Sequence, residues 1–202
     1  MSTIAMTCYN SGKEVHMELS ANIKRLRGEL GLTLEALSER SGVSRAMLSD
    51  IERGLKSPTI RVVSQVAEGL GCSVSRLLGE DAGPAQDAVQ VLRREERQVL
   101  VDPKSGVERH LLSPRFLRRG LELVWYTIPP GQVTGAFPPH RPGTEEHITV
   151  VQGTLRCRIS ESDVTLQEGD SLSFRADFEH AFENAGSEEC RYFLVIDSSS
   201  AR

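Results

Sequence analysis

Arg45 stands in the run Ser44-Arg45-Ala46-Met47-Leu48-Ser49-Asp50-Ile51, in which Ser44, Arg45, Ala46, Ser49 and Asp50 can share one side while Met47, Leu48 and Ile51 are left to pack. A guanidinium can bond two acceptors on the major-groove edge of guanine at once, so this constellation fits recognition of a patterned polar surface. Such contacts need the run to be a short helix whose N-terminal end can enter a groove.

The surrounding residues predict that helix and a partner for it. Leu34, Leu37, Val43, Leu48 and Ile51 fall at helical intervals with one break, and Gly42 sits at the break, where a tight turn needs positive φ. Thr33 and Ser44 precede the two helices as N-caps, with Ala36 and Met47 in place of the reciprocal Glu of a capping box. Ile23, Leu26 and Leu30 repeat at helical spacing before the pair, and Ile60, Val63, Val66, Ala67 and Leu70 do so after it. Ser57-Pro58-Thr59 marks a stop and restart, and Val74 to Leu78 supplies a last turn.

Gly31-Leu32-Thr33, Leu37, Gly42-Val43-Ser44 and Ser49-Asp50-Ile51-Glu52-Arg53-Gly54 resemble the phage-repressor-like, or xenobiotic-response-element, helix-turn-helix family from about Leu19 to Gly79. The resemblance implies an all-α five-helix bundle over residues 17–80 that binds double-stranded DNA. Thr33, Ser44, Arg45, Ala46, Ser49, Asp50, Arg53 and Lys56 are its candidate DNA contacts. The family usually carries Gln at the second position of the first helix of the pair, where this chain has Leu34.

Beyond a Gly- and Pro-containing linker over 81–98 the period changes. Runs such as LELVWYTI, HITVVQG, LRCRI, SLSF and RYFLVI, separated by Gly, Pro, Asn and Ser clusters, predict an antiparallel all-β domain over 99–202. Two of its stretches, Gly131 to Gly153 and Gly169 to Asn184, resemble the paired motifs of the cupin family. Glu146 and Gly153 match the end of the first motif and His140 its start, with Pro142 where a second His is usual. Gly169, His180 and Asn184 match the second motif, with Arg175 and Asp177 replacing its Pro and Gly.

That resemblance implies a double-stranded β-helix barrel in which His140, Glu146 and His180 converge on a divalent metal such as zinc, leaving open positions for an exogenous ligand. The same residues could instead line an organic-ligand pocket without metal. Arg141, Arg156 and Arg175 are candidate effector-binding side chains, since an inward guanidinium would grip an anionic group. His147 follows Glu146 on a strand and is expected on the opposite face. Trp125, the single tryptophan, is expected in the core.

Charge divides along the same line. The chain has 202 residues and a net charge of −4. Over 17–80, nine Lys and Arg meet eight Asp and Glu, a net of +1, whereas eleven meet fifteen over 102–202, a net of −4. A nearly neutral reading head makes few phosphate contacts per copy, with Lys24, Arg25, Arg27, Arg53, Lys56 and Arg61 as candidates, so a homodimer on a palindromic operator is expected. No stretch is apolar enough to span a membrane, and residues 1–16 lack a secretory core and are expected to form a flexible arm, which points to the cytoplasm. Cys8, Cys72, Cys157 and Cys190 show no paired spacing of a zinc or redox motif.

The order of the parts resembles bacterial transcription regulators in which a small-molecule-binding barrel follows the reading head. It implies a non-enzymatic sensor of an amino acid, an amine or a sulfur metabolite. A metal-dependent cupin oxygenase or isomerase fused to a DNA-binding module is the alternative.

Overall fold

A computed structural model describes residues 12–79 and 89–201. Five helices come first: α1 (Gly12–Glu29), α2 (Leu34–Ser41), α3 (Arg45–Glu52), α4 (Ile60–Leu70) and α5 (Val74–Leu77). Thr33, Ser44, Thr59 and Ser73 each cap the helix that follows, accepting a backbone N–H three residues on. Gly42 ends α2 at φ +67° and Gly71 ends α4 at φ +69°, the left-handed conformation that lets the chain reverse at once.

The helices close around Leu19, Ile23, Leu37, Leu48, Ile51, Ile60, Val63 and Val66, all fully buried. A pair between Arg27 and Glu52, at 2.6 Å and 2.8 Å, ties α1 to α3. Arg27 is thereby committed inside the head rather than to phosphate. Leu30 is exposed, because α1 ends at Glu29 and the chain has already turned. The first helix begins at Gly12, inside the stretch expected to be an arm; residues 1–11 lie outside the described residues, as do residues 81–88 of the expected linker.

Nine strands follow a short 3-10 turn at Arg94–Glu96: β1 (Val99–Val101), β2 (Glu108–Leu111), β3 (Leu121–Ile128), β4 (Glu145–Gln152), β5 (Leu155–Ile159), β6 (Ser162–Leu166), β7 (Ser171–Arg175), β8 (His180–Asn184) and β9 (Cys190–Asp197). They form two antiparallel sheets, ordered β1-β2-β3-β9-β4-β7 and β6-β5-β8. Val124, Tyr126, Ile148, Val150, Leu155, Cys157, Phe182, Tyr192 and Leu194 fill the space enclosed, each from the inward parity of its strand. Trp125 has the outward parity of β3. It is half-buried and meets Phe193 edge to face on the outside of the larger sheet, not in the core.

The head is fastened to the barrel at both ends of α4. Asp102, buried in the turn after β1, accepts the Ile60 N–H at 3.0 Å, across 42 residues of chain, and also the N–H groups of Lys104 and Ser105. At the other end Arg141 donates to the Gly71 carbonyl at 2.5 Å. The side-chain amide of Gln98 donates to the Leu78 carbonyl, and a Cβ at Gly135 would lie 3.4 Å from the Arg61 stem. No described helix is long and apolar enough to cross a membrane.

Candidate functional site

His180 and Glu146 arrive on regular strands, β8 and β4, at inward positions where each is 2% exposed. His140 comes from an irregular segment that runs along β8, with its N–H bonded to the Ala176 carbonyl and Phe137 bridged to His180. The three side chains offer ligand atoms within 4.8 Å of one another. One Glu146 oxygen, Oε1, is 3.1 Å from His140 Nε2 and 3.5 Å from His180 Nε2.

Each imidazole is turned by its other nitrogen. His180 Nδ1 lies 2.9 Å from the Phe178 carbonyl, which can only accept, so it carries the proton and leaves Nε2 for the centre. His140 Nδ1 lies 2.6 Å from Glu68 Oε1, a carboxylate contributed by α4. Phe137, Phe174 and Phe182 stand around the His180 ring with centroids 5.4–5.6 Å away. Burial works to lower the His140 pKa, but Glu146 and Glu68 overcome it and lift it to about 10. For Glu146, burial pushes upward, and the two histidines overcome it and hold the carboxyl at about 2.

Glu146 Oε2 is buried with no hydrogen-bond partner among the described residues. Two imidazole nitrogens and a carboxylate with a spare oxygen form a donor set that suits a divalent cation such as zinc, and the residues present fit one. A metal there would act as a Lewis acid with positions left for a small ligand.

These residues open into a cavity of about 310 Å³ between the barrel and the head. Ala67, Glu68, Cys72 and Val74 line it from the head, and Arg109, Glu122, Tyr126, His140, Glu146 and His180 from the barrel. Arg109 of β2, 2% exposed, pairs with Glu122 of β3, and the Ser75 hydroxyl of α5 donates to Glu122 at 2.9 Å. Arg109 Nη1 has no hydrogen-bond partner among the described residues. Of the arginines expected to meet an effector, Arg141 lines the cavity, while Arg156 and Arg175 do not. Arg156 lies on β5 paired with Asp163 of β6, and Arg175 is an exposed β7 residue paired with Asp177 beside Phe178. Their strand parity sends both to solvent. Pro142 is exposed, and His147 is exposed and bonded to Ser173 at 2.7 Å, as alternation along β4 requires.

Sequence patterning passed over Arg109, Glu122, Ser75 and Glu68. Glu122 alone left a signal, because it shares parity with Val124 and Tyr126 in an apolar strand. Burial pushes the thiols of Cys72 and Cys190 up to about 11 and that of Cys157 to about 12, so none of the three is poised for redox chemistry.

On the head, Ser44, Arg45 and Ala46 are exposed at the start of α3, Ser49 and Asp50 are half-buried, and Arg53 and Lys56 are exposed beyond its end. Asp50 bonds Arg53 at 2.7 Å and Lys56 at 3.3 Å, which holds its carboxyl below the usual range and both cations at one end of the helix. The exposed Arg45 guanidinium lies 3.9 Å from a carboxylate, Glu35 of α2. Thr33 and Ser44 spend their oxygens on caps, accepting the N–H groups of Ala36 and Met47 in the first turns of α2 and α3.

Fold and site together define a two-domain protein, a helix-turn-helix head carried on a cupin barrel. The helix-turn-helix family model matches residues 23–77 and the cupin domain model residues 124–196. The chain is 29% identical over 178 residues to the HTH-type transcriptional regulator SutR of Escherichia coli, covering 88% of this chain and 93% of that one. It is 44% identical over 55 residues to the uncharacterized HTH-type transcriptional regulator y4dJ of Sinorhizobium fredii, covering 27% and 71%. A crystal structure of an HTH_3 family transcriptional regulator from Vibrio cholerae superposes with a TM-score of 0.77 at 29% identity, over 93% of this chain and 98% of that one. The chain belongs to the xenobiotic-response-element type of helix-turn-helix regulators with a cupin domain, and it is a DNA-binding transcriptional regulator.

Proposed function

We propose that the cavity between barrel and head is the sensor site of this regulator, and that its occupant alters operator binding by a homodimer. The observation that carries this reading is the double ownership of the cavity wall. A molecule filling it touches α4 and α5 as well as the barrel, so it has differential contacts with docked and undocked heads, as coupling requires.

Two buried polar atoms of cavity-lining residues, Arg109 Nη1 and Glu146 Oε2, have no partner among the described residues and describe the chemistry wanted. The guanidinium nitrogen asks for an acceptor, such as a carboxylate, and the carboxylate oxygen for an ammonium or a metal ion. An amino acid, or an amine or sulfur compound of that size, supplies such groups. At the DNA, Arg45 takes base readout, Thr33, Ser44, Ala46, Ser49 and Asp50 line the approach, and Arg53 and Lys56 meet phosphate. Two copies then face a palindromic site about one duplex turn apart.

Selection of genomic fragments by the purified protein, followed by footprinting and anisotropy with candidate effectors, tests the reading. A folded protein that prefers no palindrome over random duplex would defeat the dimeric-operator part. An operator affinity unmoved by the molecule that mass spectrometry finds in the cavity would defeat the sensor part. The donor set of His140, Glu146 and His180 also favours a second reading, a metal-dependent oxygenase or isomerase, which requires turnover of that same molecule.

A further inference from the structure

We propose that Glu68, a residue of the DNA-binding head, is the positioning residue of the barrel's metal centre, so that the centre is complete only while the two domains are docked. The proposal rests on His140, Glu146 and His180 holding a divalent ion.

A ligating imidazole presents a lone pair from one nitrogen and must place the N–H of the other on an acceptor, which fixes its tautomer and aim. The two histidines solve this differently. His180 sits on a regular strand and uses the Phe178 carbonyl, two residues away in its own domain. His140 sits on a segment outside the nine strands, where no alternation fixes its direction, and its Nδ1 is held by Glu68 Oε1 at 2.6 Å, 72 residues earlier in the chain. That contact leaves His140 Nε2 turned to Glu146. Glu68 in turn is held in place by the two barrel contacts at the ends of α4, Asp102 on the Ile60 N–H and Arg141 on the Gly71 carbonyl.

Binding free energies are reciprocal: if a docked head raises metal affinity by some factor, bound metal raises the docking equilibrium by the same factor. The ion is therefore a clasp on α4, the helix packed against α2, the first helix of the reading pair.

The test uses the full-length protein, with zinc as the probe, titrated in competition with a chromophoric chelator. Glu68→Ala is expected to weaken zinc binding by about 10–100-fold, the usual effect of removing an outer partner of a ligand. Glu68→Gln keeps an oxygen to accept from Nδ1 and is expected to recover most of that loss. As a readout independent of affinity, saturating zinc should slow amide hydrogen exchange across residues 60–70 in the wild type and do so much less in Glu68→Ala. Wild-type zinc affinity in a folded Glu68→Ala protein would overturn the role of Glu68 while leaving the metal reading intact. Zinc affinity unchanged by His140→Ala and His180→Ala would overturn the metal reading, and this proposal with it.

Discussion

His140 shows how far one residue's properties come from its neighbours. A free imidazole changes charge near pH 6.5, but between Glu68 and Glu146 the proton stays until about pH 10. Because the folded-state value is raised, its contribution to stability is fully present below pH 6.5 and is lost as pH rises through about 10. Glu146 has the opposite sign: its value falls from 4.5 to about 2, so its contribution is present above pH 4.5 and lost as pH falls through about 2. The stability advantage of the wild type over His140→Gln should therefore be greatest between about pH 4.5 and 6.5 and shrink on both sides. Urea midpoints with a chelator present measure it, and an advantage that keeps growing from pH 6.5 to 10 would be the wrong sign. The triad itself was legible in the sequence, because His140, Glu146 and His180 sit at motif spacings. Glu68 and Arg109 were not: one lies on the polar face of a helix and the other in a four-residue strand, and only domain docking gives either a meaning.

Among the elements, α2, α3 and α4 were legible nearly residue by residue, since caps, a left-handed Gly42 and helical spacing all agree. Strand β8 was not singled out, because HAFEN offers little alternation, and its inward residues are fixed by pairing with β5. Gly69 shows a constraint that periodicity cannot reveal. Replacing a helical glycine by alanine ordinarily gains about 1 kcal/mol. A Cβ here would stand 2.8 Å from the Ser41 Cβ and 3.1 Å from its backbone, so α4 could not stay against α2. Gly69→Ala should thus destabilise the protein by about 1–3 kcal/mol, measured by denaturant unfolding, and an increase in stability would contradict the close packing. For α3 the expectation concerns specificity: Arg45→Ala should cost about 1–3 kcal/mol on the operator and little on random duplex if it reads guanine. Equal losses on both would make Arg45 a phosphate contact.

Across the whole molecule, charge and docking together limit how the protein can hold DNA. The head's net charge is only +1, and of its six candidate phosphate contacts Arg27 is already committed to Glu52, while the Arg61 stem lies beside the barrel at Gly135. Lys24, Arg25, Arg53 and Lys56 are the other four of those candidates, and of these Arg25, Arg53 and Lys56 each have a carboxylate beside them. A single head can thus neutralise about three to four phosphates, for a slope of log K against log salt near −3. Two heads on one palindrome double it to about −6. The barrel cannot supply the difference, since residues 102–202 carry a net −4 and repel the duplex. Anisotropy titrations between low and moderate salt, with stoichiometry from sedimentation, should give a slope near −6 with two chains per operator. A slope near −3 with one chain bound tightly would mean that a single weakly basic head suffices, and the requirement for a dimer would fall.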